Sequence, residues 1–209
     1  MKIRVTILLL CLCSTIGMAS VTTYTSLSTF TTATGATLRP INPITDTTAT
    51  TTDGSITVAP LQNNIIFDTA TYGNPIPGGD DWVISGEESQ DFIINVPSAY
   101  SFGFEIYNPS TVPLPNGCNA TCFDDTFTMT LFNGATNLGS FSFVPGDDQV
   151  LFYGIASSTS FDRVELRETP PNIDDEFFAN LYLGTQSVPE PATLTLLVIG
   201  LSGIYLRRR

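Results

Sequence analysis

Two cysteines, a scatter of paired carboxylates and one tryptophan are the residues of this sequence best equipped for chemistry. Cys118 and Cys122 stand with three residues between them in Asn116-Gly117-Cys118-Asn119-Ala120-Thr121-Cys122. A zinc site needs two further ligands and a catalytic thiolate needs a base, yet the sequence contains no His. In an exported chain the pair is therefore expected to close one small disulfide, which restrains the unfolded loop by about 2 kcal/mol at most. Acidic doublets recur at Asp80-Asp81, Glu87-Glu88, Asp124-Asp125, Asp147-Asp148 and Asp174-Asp175-Glu176. Carboxylates on loops are hard oxygen ligands suited to Ca²⁺, although none follows EF-hand spacing, and solvated turns on an acidic surface are the simpler reading. No Gly-x-Ser-x-Gly elbow is present, so no serine nucleophile is expected. A two-carboxylate glycosidase fits the inventory, but no one pair of acids stands out and no catalytic residue is assigned. Trp82 follows Asp80-Asp81 in a Gly-rich turn. Exposed, it would stack on a sugar ring; buried, it would anchor the core beside Val83 and Ile84.

The charge balance narrows the partners. The 209 residues carry a formal charge of −12, and five of the eight bases are Lys2, Arg4, Arg207, Arg208 and Arg209 at the two ends. Between residues 20 and 187 only Arg39, Arg163 and Arg167 face nineteen acids. Such a segment offers no phosphate-binding surface, and nucleic acid is excluded as a partner.

Both ends read as addresses. Residues 1–19 have a basic start, an apolar run from Val5 to Cys13 and small residues at Gly17 and Ala19, the pattern of a secretory signal helix cleaved before Ser20. At the other end, Val188-Pro189-Glu190-Pro191 leads into the apolar run Leu194 to Leu206 and stops at three arginines. Two prolines a residue apart hold the backbone extended, as a processing enzyme's groove requires. The apolar run supplies membrane affinity, and the arginines keep the terminus on the cytoplasmic side.

This tail resembles the PEP-CTERM sorting signal of Gram-negative bacteria that make extracellular polysaccharide, a tail also catalogued as an ice-binding protein C-terminal domain. The resemblance implies recognition at Val188, Pro189, Glu190 and Pro191 by an exosortase, an integral-membrane cysteine transpeptidase that removes the tail. It further implies a membrane-anchored precursor that ends at the envelope surface or in the extracellular matrix.

Between the addresses lie two compositional zones. Residues 20–59 are crowded with threonine and are expected to be loop and edge strand, with a short helix over Ser26 to Ala33 ending at Gly35. The threonines show no fixed period, as an ice-matching array would. In residues 60–187 short alternating segments follow one another: Phe102, Phe104 and Ile106; Phe127, Met129 and Leu131; Phe141 and Phe143; Leu151, Tyr153 and Ile155; Val164 and Leu166. Turn chemistry at Asn133-Gly134 and Pro145-Gly146-Asp147-Asp148 separates them. The pattern predicts a mainly β domain, an antiparallel β-sandwich or jelly roll.

Stretches such as Asp125-Thr126-Phe127-Thr128, Phe161-Asp162-Arg163-Val164 and Phe177 to Gly184 resemble secreted PEP-CTERM domains with a jelly-roll, carbohydrate-binding-module-like shape. No cofactor is expected; if a structural calcium is bound, Asp124, Asp125, Asp174 and Asp175 are its first candidates from that resemblance. Many relatives carry Asp-Asn where this chain has Ala179-Asn180. The expected function is a non-enzymatic structural or polysaccharide-binding protein; an ice-binding protein and a glycoside hydrolase acting on exopolysaccharide are the alternatives.

Overall fold

The computed structural model describes residues 19–40, 49–51, 53–61, 66–67, 76–77, 82–85, 91–108, 126–169 and 176–187. The strands are β1 (Val21–Tyr24), β2 (Thr37–Arg39), β3 (Ala49–Thr50), β4 (Thr57–Pro60), β5 (Ile66–Phe67) and β6 (Trp82–Ser85). They continue with β7 (Phe92–Tyr107), β8 (Thr126–Asn133), β9 (Thr136–Phe143), β10 (Val150–Thr169) and β11 (Phe177–Gly184). One helix, α1 (Leu27–Thr34), follows β1. The protein is mainly antiparallel β, as the alternation predicts.

Two long strands organise it. The expected segments Leu151–Ile155 and Phe161–Arg167 are one strand, β10, which pairs along its length with β7. The ladder between them breaks between Ala156 and Arg163, opposite Pro97 and Ser98. Proline has no N–H to give a ladder, and a broken register lets both strands bend. Beyond the bend each strand takes different neighbours. The second half of β7 and the first half of β10 join β11 and β1, with β2 and β6 along the far edge of β11. The first half of β7 and the second half of β10 join β4 on one side and β8 and β9 on the other. We call these layers A and B.

The alternation places the inner residues of both layers against one another. Phe102, Phe104, Ile106, Phe178, Leu181 and Leu183 from layer A meet Phe92, Ile94, Phe127, Met129, Leu131, Val164 and Leu166 from layer B, all essentially without exposure. Phe178 bridges the layers edge-on, 5.0 Å from Phe92 and 6.0 Å from Phe127 between ring centroids. That contact also fixes the geometry of one pole. The starts of β7, β8 and β11 and the end of β7 lie together there.

Layer A has a second, outer covering. Ser26 caps α1 by accepting from the Thr29 amide, and Gly35 at φ 64° ends it. The helix lays Phe30 on Phe152, 5.1 Å between centroids. Small residues make this approach possible: a Cβ on Gly154 would lie 2.8 Å from Phe30 and 2.9 Å from Phe152. Farther along the same face Ile76 packs on Phe177, Ala179 and Tyr107.

Candidate functional site

Between α1 and Ile76, the outer face of layer A carries an arrangement of aromatic and polar side chains. In β7 the outward positions are Gly103, Glu105 and Tyr107, because Phe102, Phe104 and Ile106 take the core. Tyr182 of β11 stands opposite Gly103, and Ala179 opposite Glu105. The ladder slips between Ala179 and Tyr182, and Asn180 sits in the slip with φ 51°, a left-handed conformation that Asn tolerates better than most residues. The bulge carries the Asn180 side chain to Glu105, where Nδ2 donates to Oε2 at 2.5 Å. Both residues keep part of their surface in solvent.

Aromatic groups flank this pair on either side. Tyr182 rests edge-on against Phe152 at 5.8 Å, and Tyr107 lies 6.3 Å from Phe177. Both tyrosines are half-buried, each with an exposed apolar neighbour in the ladder: Leu38 opposite Tyr182 and Val150 opposite Tyr107. Four strand positions separate the two aromatic rows, about 14 Å along the strand. Burial pushes the Tyr182 phenol up, with the charge of Glu105 adding to it. Burial and then the charge of Asp148, which accepts from its hydroxyl at 3.5 Å, raise that of Tyr107. Both rings therefore stay neutral at physiological pH. The result is an apolar strip interrupted by a carboxylate and an amide.

None of these four residues was nominated as a site residue from the sequence. Glu105 carried a faint signal, a lone carboxylate at an outward position among aromatic residues. Asn180 entered only through the resemblance, as part of Ala179-Asn180 where many relatives carry Asp-Asn; its meeting with Glu105 through the bulge has no counterpart in the spacing. Of the expected site residues, Trp82 is in β6 and pairs with Phe178. Cys118 and Cys122, Asp124, Asp125, Asp174 and Asp175, and the tail with Val188, Pro189, Glu190 and Pro191 lie outside the described residues, as do the two terminal segments expected to be helical. Among the described residues no helix is long and apolar enough to cross a membrane.

Comparison with known proteins separates the tail from the domain. Residues 187–209 match the PEP-CTERM protein-sorting motif, which shows the resemblance drawn from Pro189-Glu190-Pro191. No curated protein matches the chain. Among solved structures, a family 29 carbohydrate-binding module is similar at a TM-score of 0.44 and 13% identity, covering 81% of this chain and 91% of that one. A mutant of CBM29-2 complexed with mannohexaose is similar at a TM-score of 0.44 and 17% identity, covering 75% and 99%. Another, complexed with cellulohexaose, gives 0.36 and 18%, covering 64% and 94%.

Proposed function

We propose that this is an exported, non-enzymatic β-sandwich protein, sorted and processed at its tail, that binds a neutral polysaccharide across the outer face of layer A. The tail motif supports export and processing by an exosortase-type membrane transpeptidase, with the protein ending at the envelope surface or in the matrix. The observation that carries the binding proposal is the Glu105–Asn180 pair set between Tyr107 and Tyr182. Sugar rings present apolar C–H faces and a rim of hydroxyls. Aromatic faces take the first, while a carboxylate and an amide accept from and donate to the second. A central carboxylate on a protein with this acidic excess repels anionic sugars, so the fitting ligand is uncharged.

The test is retention of the full chain, in mild detergent, on neutral and uronate-containing polysaccharides. Tyr182→Ala is expected to weaken binding to a neutral glycan by about thirtyfold, equivalent to roughly 2 kcal/mol. Unchanged retention of Tyr182→Ala and Glu105→Ala would remove this face from the function. Release of reducing ends from the polysaccharide would point to the glycosidase alternative, and thermal hysteresis to ice binding.

A further inference from the structure

The hairpin that joins β8 to β9 turns on an Asn-Gly step, Asn133-Gly134, the only one among the described residues. Asn133 pairs with Thr136, leaving Gly134 and Ala135 as the loop. Gly134 takes φ 55° while Ala135 stays out of the left-handed region, the II′ pattern that favours glycine at the first loop position. An Asn-Gly step is chemically fragile, because glycine has no side chain to shield its nitrogen. That nitrogen attacks the asparagine Cγ. The N–Cγ bond forms, the Cγ–Nδ2 bond breaks, and Nδ2 departs as ammonia with the proton that the glycine nitrogen gives up. Water then opens the succinimide to Asp or to isoaspartate.

In this hairpin both reacting groups are tied down. Asn133 Nδ2 donates to the Ser160 carbonyl at 2.9 Å. The Gly134 N–H donates to both oxygens of Asp162, at 3.1 Å to Oδ1 and 3.0 Å to Oδ2. Ser160 and Asp162 belong to the stretch of β10 between Ala156 and Arg163 where the ladder with β7 is broken. Asp162 stands one step beyond the Arg163–Phe132 pair, beside the loop. For Gly134 to attack, its nitrogen must lose a proton. The negative charge that develops there would face a carboxylate at hydrogen-bond distance, and a charge-assisted bond would be surrendered. The Asn133 carboxamide would also have to close on that nitrogen against its tie to Ser160. Asn133, Gly134 and Asp162 are all exposed, so the restraint comes from these bonds and the turn, not from exclusion of water.

We propose that Asn133 is a latent deamidation site and that Asp162 is the positioning residue that keeps it closed, acting through the Gly134 N–H. Conversion would delete the donor to Ser160 and set a second carboxylate beside Asp162, so the hairpin tip would part from the bend of β10. The proposal rests on neither the glycan reading nor the tail.

The experiment is peptide mapping of the full chain, aged in mild detergent and mildly alkaline buffer, with Asp and isoaspartate counted at position 133. The parent is expected to convert at least about tenfold more slowly folded than in denaturant, and Asp162→Ala to convert about tenfold faster than the folded parent. Asp162→Asn keeps an acceptor without the charge and should fall between the two; it also reports should Asp162→Ala not fold. Ser26→Ala weakens α1 and leaves the hairpin untouched, so its rate should match the parent's. An unchanged rate in Asp162→Ala, or equal acceleration in Ser26→Ala, overturns the assignment. A slower rate in Asp162→Ala overturns it too, by making the carboxylate a base that promotes the attack.

Discussion

Asn180 illustrates how a single backbone irregularity assembles a site. In a regular ladder its side chain would alternate with those of Ala179 and Leu181; the slip and the left-handed φ bring its amide onto Glu105. Asn180→Gly keeps that backbone at little cost and deletes only the amide. Its expected signature is weakened glycan retention with a melting temperature within about 2 °C of the parent. An unchanged affinity would show the amide to be structural. Trp82 gives the opposite expectation. If it is the core anchor that its place beside Val83 and Ile84 suggests, Trp82→Ala should lower the melting temperature severely, with a core-truncation cost of about 3–5 kcal/mol, and should leave retention by the folded fraction unaltered. Loss of retention without loss of stability would restore Trp82 as a sugar platform.

Asp53 provides a handle on pH. Hydrogen bonds from the Ser55 hydroxyl and amide and from the Thr51 hydroxyl, with Arg39 at 2.8 Å, hold its carboxyl well below the usual carboxylate range. A carboxyl with a depressed folded pKa stabilises fully above its unfolded value of about 3.9, and that contribution drains away as pH falls toward the folded value. Because the group is exposed, the effect is modest. Asp53→Asn should therefore melt below the parent at pH 7, with the gap closing progressively below about pH 4. A gap that is constant down to pH 2 would assign the loss to shape instead of charge.

At the scale of elements, α1 depends on its seat as much as on its own sequence. It spans eight residues, too few to be stable alone. Its cap and the glycine floor beneath Phe30 supply what intrinsic propensity cannot. Ser26→Ala should cost about 1 kcal/mol, whereas Gly154→Val should cost about 1–3 kcal/mol by lifting Phe30 off Phe152. Equal melting of Gly154→Val and the parent would mean the helix does not press on this face. The helix was legible because Leu27 and Phe30 recur at helical spacing between a serine cap and Gly35. Short alternating runs made the strands legible too. The bend was not, because Ser157 to Ser160 looks like a turn between strands and Pro97 like the end of one. Only pairing shows that β7 and β10 run through both features. The proposed glycan site was hidden for the same reason, as Glu105 and Asn180 are 75 positions apart and meet only across the ladder.

At the scale of the molecule, the acidic domain and the basic end make a division of labour. The tail's apolar run, Leu194 to Leu206, is thirteen residues long and as a helix would reach about 20 Å. That is shorter than the roughly 30 Å hydrocarbon core of a bilayer, so in the proposed membrane-anchored precursor the terminal arginines would have to reach the cytoplasmic headgroups to hold it. Such an anchor would retain the proposed precursor while remaining easy to extract once the tail is cut. In the proposed role the domain, with three arginines against nineteen acids between residues 20 and 187, would be repelled by an anionic envelope and free to move into a neutral matrix once released. Intact-mass measurement of the protein isolated from its native host is expected to lack Leu194 to Arg209, while the same chain in a host without the transpeptidase should retain them. Changing Glu190→Ala should leave the long form on the membrane, since it alters the recognised sequence but neither the apolar run nor the arginines. A mature species still carrying Arg209 in the native host would overturn the processing step and leave the protein a membrane-anchored one.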